Sequence, residues 1–233
     1  MKNTTERWVR GALCAALIAS CGLLSACKSK DSTSGTNPDG SKKTVVGFSQ
    51  IGAESDWRKA NTVSIKAEAE KRGIDLRFAD AQQKQENQIK ALRNFIRQKV
   101  QVIAFSPVVE TGWEPVLKDI RKAGIPVILT DRAVDVSDDS LFETFIGSDF
   151  VEEGRRAGNW LAKRTGGKAI IAELQGTPGS APAIDRKKGF EEIIAKNPGM
   201  KILKPQPGHV PPPQGHAVRA ASLKSPPGLQ LPA

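Results

Sequence analysis

Val45-Val46-Gly47-Phe48-Ser49-Gln50-Ile51-Gly52-Ala53-Glu54-Ser55-Asp56-Trp57-Arg58 is the stretch whose reading decides the fold. Its apolar start passes into small and polar residues, and Trp57, Val63, Ala67 and Ala69 then recur at roughly helical spacing. That order predicts strand, loop, helix. The loop falls at the carboxyl end of a strand, where open α/β sheets bind ligands. Glu54, Ser55, Asp56, Trp57 and Arg58 crowd into this one turn. Packing alone does not require two carboxylates, a hydroxyl, an indole and a guanidinium so close together, so all five are candidate ligand residues.

The same grammar continues outward. Strands are predicted over Thr44–Ser49, Ile74–Ala79, Val100–Phe105, Ile125–Thr130, Phe142–Gly147, Lys168–Leu174 and Met200–Lys204. Helices are predicted over Asp56–Arg72, Gln83–Lys99, Gly112–Ala123, Asp149–Lys163 and Ala181–Lys196. Gly73 and Gly124 stand where helices commonly turn left-handed and stop. Strands alternating with helices mean βαβ units, right-handed connections and a parallel sheet, hence an α/β, doubly wound fold. Residues 44–148 make one complete-looking Rossmann-like lobe, and residues 149–204 begin a second.

The ends read differently. Lys2, Arg7 and Arg10 precede an apolar stretch from Gly11 to Ala26, shorter than the ~20 residues of a spanning helix. Leu24-Ser25-Ala26-Cys27 closes it and looks like a bacterial lipobox, which implies cleavage before Cys27 and lipidation of its thiol. Residues 1–26 are therefore read as a lipoprotein signal peptide. All three cysteines (Cys14, Cys21, Cys27) lie in this segment, so the mature domain has no internal disulfide and no cysteine-based metal or nucleophile site. Residues 27–43 are polar and read as a flexible tether that holds the working domain off the membrane. Residues 205–233 break the grammar: prolines recur, acids are absent, and no periodicity survives, so this tail reads as disordered.

Composition excludes several functions. The net charge is +10, but the basic residues are spread along amphipathic patterns with no aromatic-interleaved stripe, so no nucleic-acid partner is expected. Both histidines, His209 and His216, lie in the tail, which removes histidine-based triads and metal sites from the folded part. No Gly-x-Ser-x-Gly elbow and no complete phosphate-binding loop is present, so the chain is not read as an enzyme. No cofactor or metal is expected.

Further candidate loops follow the later strands: Ser106 to Trp113, Thr130-Asp131-Arg132, Gly147-Ser148-Asp149, and Gln175 to Ser180 with Asp185-Arg186 beyond. A parallel topology brings them to one side, around a cleft. Their chemistry suits a sugar: carboxylates accept from hydroxyls, guanidinium forks donate to two oxygens, and an indole covers the C–H face. Plainer roles stand beside each. Asp131-Arg132 could be a solvated turn, Trp57 and Trp113 core residues, Asp185-Arg186 surface, and Ser148-Asp149 a helix cap.

Residues 47–58, Gln82 to Ile89, Pro107 to Leu117 and Ala183-Ile184-Asp185-Arg186-Lys187-Lys188-Gly189-Phe190 resemble the bacterial galactofuranose-binding proteins, sugar-binding components of ABC importers with the type I periplasmic-binding-protein fold. The resemblance covers Thr44 to about Lys204. It implies two lobes that close on a monosaccharide and a closed form that docks on a membrane permease. A monomer is expected, held outside the cytoplasm by the lipid anchor that the lipobox implies. By motif match the ligand residues are Glu54, Ser55, Trp57, Arg58, Asp131, Arg132, Asp149 and Arg186. The same fold serves sugar sensors coupled to chemoreceptors or histidine kinases, and lactose-repressor-type regulators. The latter place a helix-turn-helix where this chain has its signal and tether. Gly208 to Gly215 can be written in codons that, read one base later, give a segment like the family's, so the tail is expected to be out of frame and the chain truncated. On that reading the second wall of the cleft is only begun, and sugar binding is expected to be weak.

Overall fold

The computed structural model describes residues 42–203 and 206–207. The signal segment, Cys27, the tether up to residue 41 and the tail from residue 208 lie outside the described residues.

Five parallel strands build the first lobe: β1 (Val45–Gln50), β2 (Asp75–Asp80), β3 (Val102–Phe105), β4 (Val127–Asp131) and β5 (Thr144–Gly147), in the order β2-β1-β3-β4-β5. Helices α1 (Asp56–Lys71), α2 (Gln85–Arg97) and α3 (Glu114–Lys122) connect them. The chain runs one way from β1 to β2 and the other way through β3 to β5, so the order reverses between β1 and β3. That reversal opens a crevice at the carboxyl ends of the two strands.

Alternation along β3 and β4 turns Ile103, Phe105, Val127 and Leu129 to one face. There they meet Leu92 and Phe95 of α2 and Val116, Leu117 and Ile120 of α3 in the main core. Each such side chain contributes ~1.5–3 kcal/mol by leaving water. Trp113 is fully buried in the same core. Its indole N–H donates to the Val109 carbonyl at 2.7 Å, and its ring tilts against Phe105 at 5.1 Å. Of its two readings, packing is the one the fold realises.

The second lobe holds α4 (Phe150–Thr165), β6 (Lys168–Ile171), β7 (Leu174–Gln175), α5 (Ala181–Ile194), β8 (Gly199–Ile202) and β9 (Gln206–Pro207). β6 pairs with β8 and β7 with β9, both in parallel. Helices α4 and α5 touch backbone to backbone. A Cβ on Gly154 would lie 2.1 Å from the Arg186 carbonyl oxygen, and one on Gly189 1.9 Å from that of Val151. Ion pairs Arg155–Glu192 and Arg186–Glu153, both 2.7 Å, clasp the two helices.

Element order agrees with the sequence reading, with local corrections. Gln82 and Gln83 have left-handed backbones (φ 52° and 61°), so the second helix begins at Gln85 rather than Gln83. The strand expected over Lys168–Leu174 breaks at Ala172-Glu173, because its two halves pair with different partners. The aperiodic tail was expected from residue 205, yet Gln206–Pro207 pairs as β9. A two-residue strand is too short to show a period, and a sheet edge tolerates proline.

Candidate functional site

The loops after β1, β4 and β5, the break between β6 and β7, and the start of α5 open on one cavity of about 750 Å³. Glu54, Ser55, Trp57, Arg58, Asp131 and Arg132 line it from the first lobe, and Glu173, Gln175, Arg186 and Lys187 from the second.

The first wall is built around Arg58. It occupies the first turn of α1, where the helix dipole disfavours a cation, and its side chain is only 7% exposed. Two carboxylates offset that cost. Glu54 Oε1 lies 3.3 Å from Nε, and Asp131 Oδ2 lies 2.7 Å from Nη1. The Asp131 pair is close but off-line, so neither of its atoms makes a well-aligned hydrogen bond. Asp131 reaches back because its backbone is left-handed (φ 64°) at the last residue of β4, a strained conformation for a residue with a Cβ. Ser55 caps α1, its hydroxyl accepting from the Arg58 N–H at 3.3 Å.

Arg132 follows with its side chain 11% exposed, and its Nη1 donates to the Val108 carbonyl at 3.0 Å. Burial, with the like charge of Arg58 next, pushes its guanidinium down to about 10, against the pull of Asp131 and Glu54. It stays cationic at neutral pH. Below these groups, fully buried Gln88 bridges the crevice. Its amide donates to the Ser106 carbonyl at 2.6 Å, and its Oε1 accepts from the Val108 N–H at 3.0 Å.

Trp57 is 57% exposed and sits at the cavity mouth with the Arg58 guanidinium 4.6 Å from its ring. It lines the cavity and is not a core residue. On the second wall Arg186 is 53% exposed, paired with Glu153 and lying 4.6 Å over the Phe150 ring.

Two candidates do not reach the cavity. Asp56 opens α1 pointing outward, fully exposed and paired with Lys59 at 3.1 Å. Asp149 caps α4, its carboxylate accepting from the Glu152 N–H at 2.9 Å, while Ser148 beside it lines the cavity. The Asp149 carboxylate is spent as a helix cap, and Asp56 stands in the first turn of α1, where the helix dipole favours an acid. Gln175 opens the candidate loop read after the sixth strand and does line the cavity, whereas sequence reading missed Glu173 and Lys187. A charge interrupting the apolar run Ile170-Ile171-Ala172-Glu173-Leu174 was the available signal.

The lobes also touch away from this cavity. The Glu110 N–H donates to the Gly179 carbonyl of the second lobe at 2.9 Å, and within the first lobe the Asp135 N–H donates to the Glu110 carbonyl at 2.7 Å. Burial first, then Asp185 and Asp135, hold the Glu110 carboxyl above its ordinary range.

A cavity lined with guanidinium–carboxylate pairs and an exposed indole is equipped to bind a neutral polyhydroxy ligand, with donors and acceptors already aimed. Among the described residues no group of three or more metal-ligating side chains comes together. The family model described as a periplasmic binding protein domain matches residues 46–222, past the point where sequence reading ends the resemblance. The galactofuranose-binding protein YtfQ of Escherichia coli K12 is 52% identical over 182 residues, 78% of this chain and 57% of that one. The binding protein of the arabinose ABC transporter of Shewanella sp. ANA-3, solved with α- and β-L-arabinofuranose, is 56% identical with a TM-score of 0.74. That match covers 78% of this chain and 60% of its own. A Mycobacterium smegmatis structure in complex with β-D-fucofuranose is also 56% identical, with a TM-score of 0.75, covering 79% and 62%.

Proposed function

Because the chain belongs to the periplasmic binding protein domain family, we propose that it is the substrate-capturing lipoprotein of an ABC importer. It takes a monosaccharide of the galactofuranose type into the cleft between its lobes and delivers it to a membrane permease. It works outside the cytoplasm as a monomer, anchored through lipid on Cys27. The observation that carries the reading is the buried first wall, in which Arg58 and Arg132 are held by Glu54 and Asp131. Guanidinium groups fixed in this way donate to hydroxyl oxygens without losing much side-chain freedom on binding.

The ligands named for the three relatives, galactofuranose, arabinofuranose and fucofuranose, share a five-membered ring and differ in the substituent it carries. The ring is therefore the proposed unit of recognition. Closure follows if the sugar contacts both walls, since it then stabilises the closed arrangement selectively. Calorimetric titration with methyl galactofuranoside and methyl galactopyranoside, each locked in its ring form, tests this. The furanoside is expected to bind at least about tenfold more tightly, the penalty of one mispaired buried polar group. Equal binding, or a preference for the pyranoside, overturns the furanose assignment.

A further inference from the structure

Glu173 stands in the break between β6 and β7, at the end of the second lobe that faces the first. Its side chain is 16% exposed. Its two oxygens are treated differently. Oε1 accepts from the Gln175 side-chain amide at 3.1 Å, which fixes the plane of the carboxylate. Oε2 is buried and accepts no hydrogen bond among the described residues. The nearest cation, Lys187 Nζ, is 3.8 Å from it and is engaged by Glu191 Oε1 at 2.9 Å. Glu173 is therefore not needed as the neutralising partner of Lys187.

The first wall has a counterpart. There Glu54 Oε1 and Asp131 Oδ2 both face Arg58, and Glu54 Oε2 is buried without a hydrogen-bond partner, so each wall presents such a carboxylate oxygen. A sugar hydroxyl accepts hydrogen bonds on two lone pairs and also has a proton to give. Guanidinium forks serve its lone pairs, but something must take the proton. A buried carboxylate oxygen without a partner is costly unless the bound ligand supplies one.

Resting on the reading of this cleft as a sugar site, we infer that Glu173 is the second wall's hydroxyl acceptor: its Oε2 takes a hydrogen bond from one ring or exocyclic hydroxyl of the bound monosaccharide, in a geometry set by Gln175. It is thereby a specificity-determining residue that rejects sugars lacking that hydroxyl.

The experiment titrates the full chain, wild type and Glu173→Gln, with L-arabinose and a series of its monodeoxy analogues. One analogue is expected to bind the wild type about 10- to 100-fold more weakly than the parent sugar, the range of a hydrogen bond to a charged group. In Glu173→Gln that penalty shrinks to about threefold or less, while the penalties of the other analogues persist. Glu173→Asp keeps the charge but draws the oxygen back by one methylene, so it loses the same discrimination. Three results overturn the inference while leaving the sugar site intact. One is an equal loss for every analogue in Glu173→Gln, the mark of a structural role. Another is no loss at all, and the third is full restoration by Asp. A wild-type chain that binds neither parent nor analogues at millimolar concentration overturns the sugar reading itself, and the inference with it.

Discussion

The two walls of the cleft solve the problem of holding charge in opposite ways. Arg58, on the first wall, is 7% exposed and locked between two carboxylates over a core of interdigitated side chains. Arg186, on the second, is 53% exposed and leans on one carboxylate and a phenyl face. Breaking the first wall would strand a buried charge; breaking the second would leave its charge in water. On the proposed function, the first is the fixed surface that recognises and the second the one that adjusts on closure. The lobes differ in the same sense. One is cemented by side chains, the other by the contact of α4 and α5 across Gly154 and Gly189.

The sharpest way to break this comparison is Gly189→Ala. The new Cβ would sit 1.9 Å from the Val151 carbonyl oxygen, a backbone atom that cannot yield without parting the helices. We expect a loss of ~3 kcal/mol or more, confined to the second lobe. Hydrogen exchange should show amides of α4 and α5 losing protection while those of β1, β3 and β4 keep theirs. Next in size, Asp131→Asn leaves Arg58 buried with Glu54 alone. It should cost ~3 kcal/mol of stability in a thermal melt, since one partner of a buried pair is removed. Sugar affinity should fall with it. Arg186→Gln sharpens the contrast. An exposed pair contributes little, so stability should move by less than ~1 kcal/mol. Sugar affinity should nevertheless drop about tenfold or more, as expected for a charge-assisted hydrogen bond to the ligand. Equal stability losses in Asp131→Asn and Arg186→Gln would erase the distinction between the walls.

Legibility in the sequence follows the same divide. The first lobe could be read because its signals are local: apolar strands, glycine stops, and polar residues at strand ends where nothing apolar is needed. Glu54, Arg58, Asp131 and Arg132 stood out on those grounds, and they meet within one network. Asp56 and Asp149 carry the same local signal for a different reason: Asp149 satisfies a free N–H of its helix, and Asp56 sits in a first turn, where the dipole favours an acid. Side-chain type alone does not separate the two uses; direction does, and direction comes from the fold. Glu173 was hidden because it lies inside what reads as one strand, and only the switch of pairing partners at Ala172-Glu173 turns it to the cleft. Gln88 sits in the first turn of α2, where a glutamine is ordinary. Its role appears only once β1 and β3 lie side by side.

The gentlest test concerns the seam where the lobes meet outside the cleft. Glu110 is held above its ordinary pKa by burial and by the carboxylates of Asp185, from the second lobe, and Asp135, from the first. Its charged form is therefore disfavoured in the folded state. Between the ordinary carboxylate range and the raised value, the folded chain binds more protons than the unfolded one, so stability rises as pH falls through that window. Glu110→Gln removes the titrating group and keeps the backbone hydrogen bonds to Gly179 and Asp135. The variant should melt slightly higher than wild type at neutral pH, and the two should converge as pH falls into the ordinary carboxylate range. If the variant is less stable at neutral pH, Glu110 is stabilising as a charge. The seam would then resemble the first wall, and the ease of movement assigned to the second lobe would have to come from elsewhere.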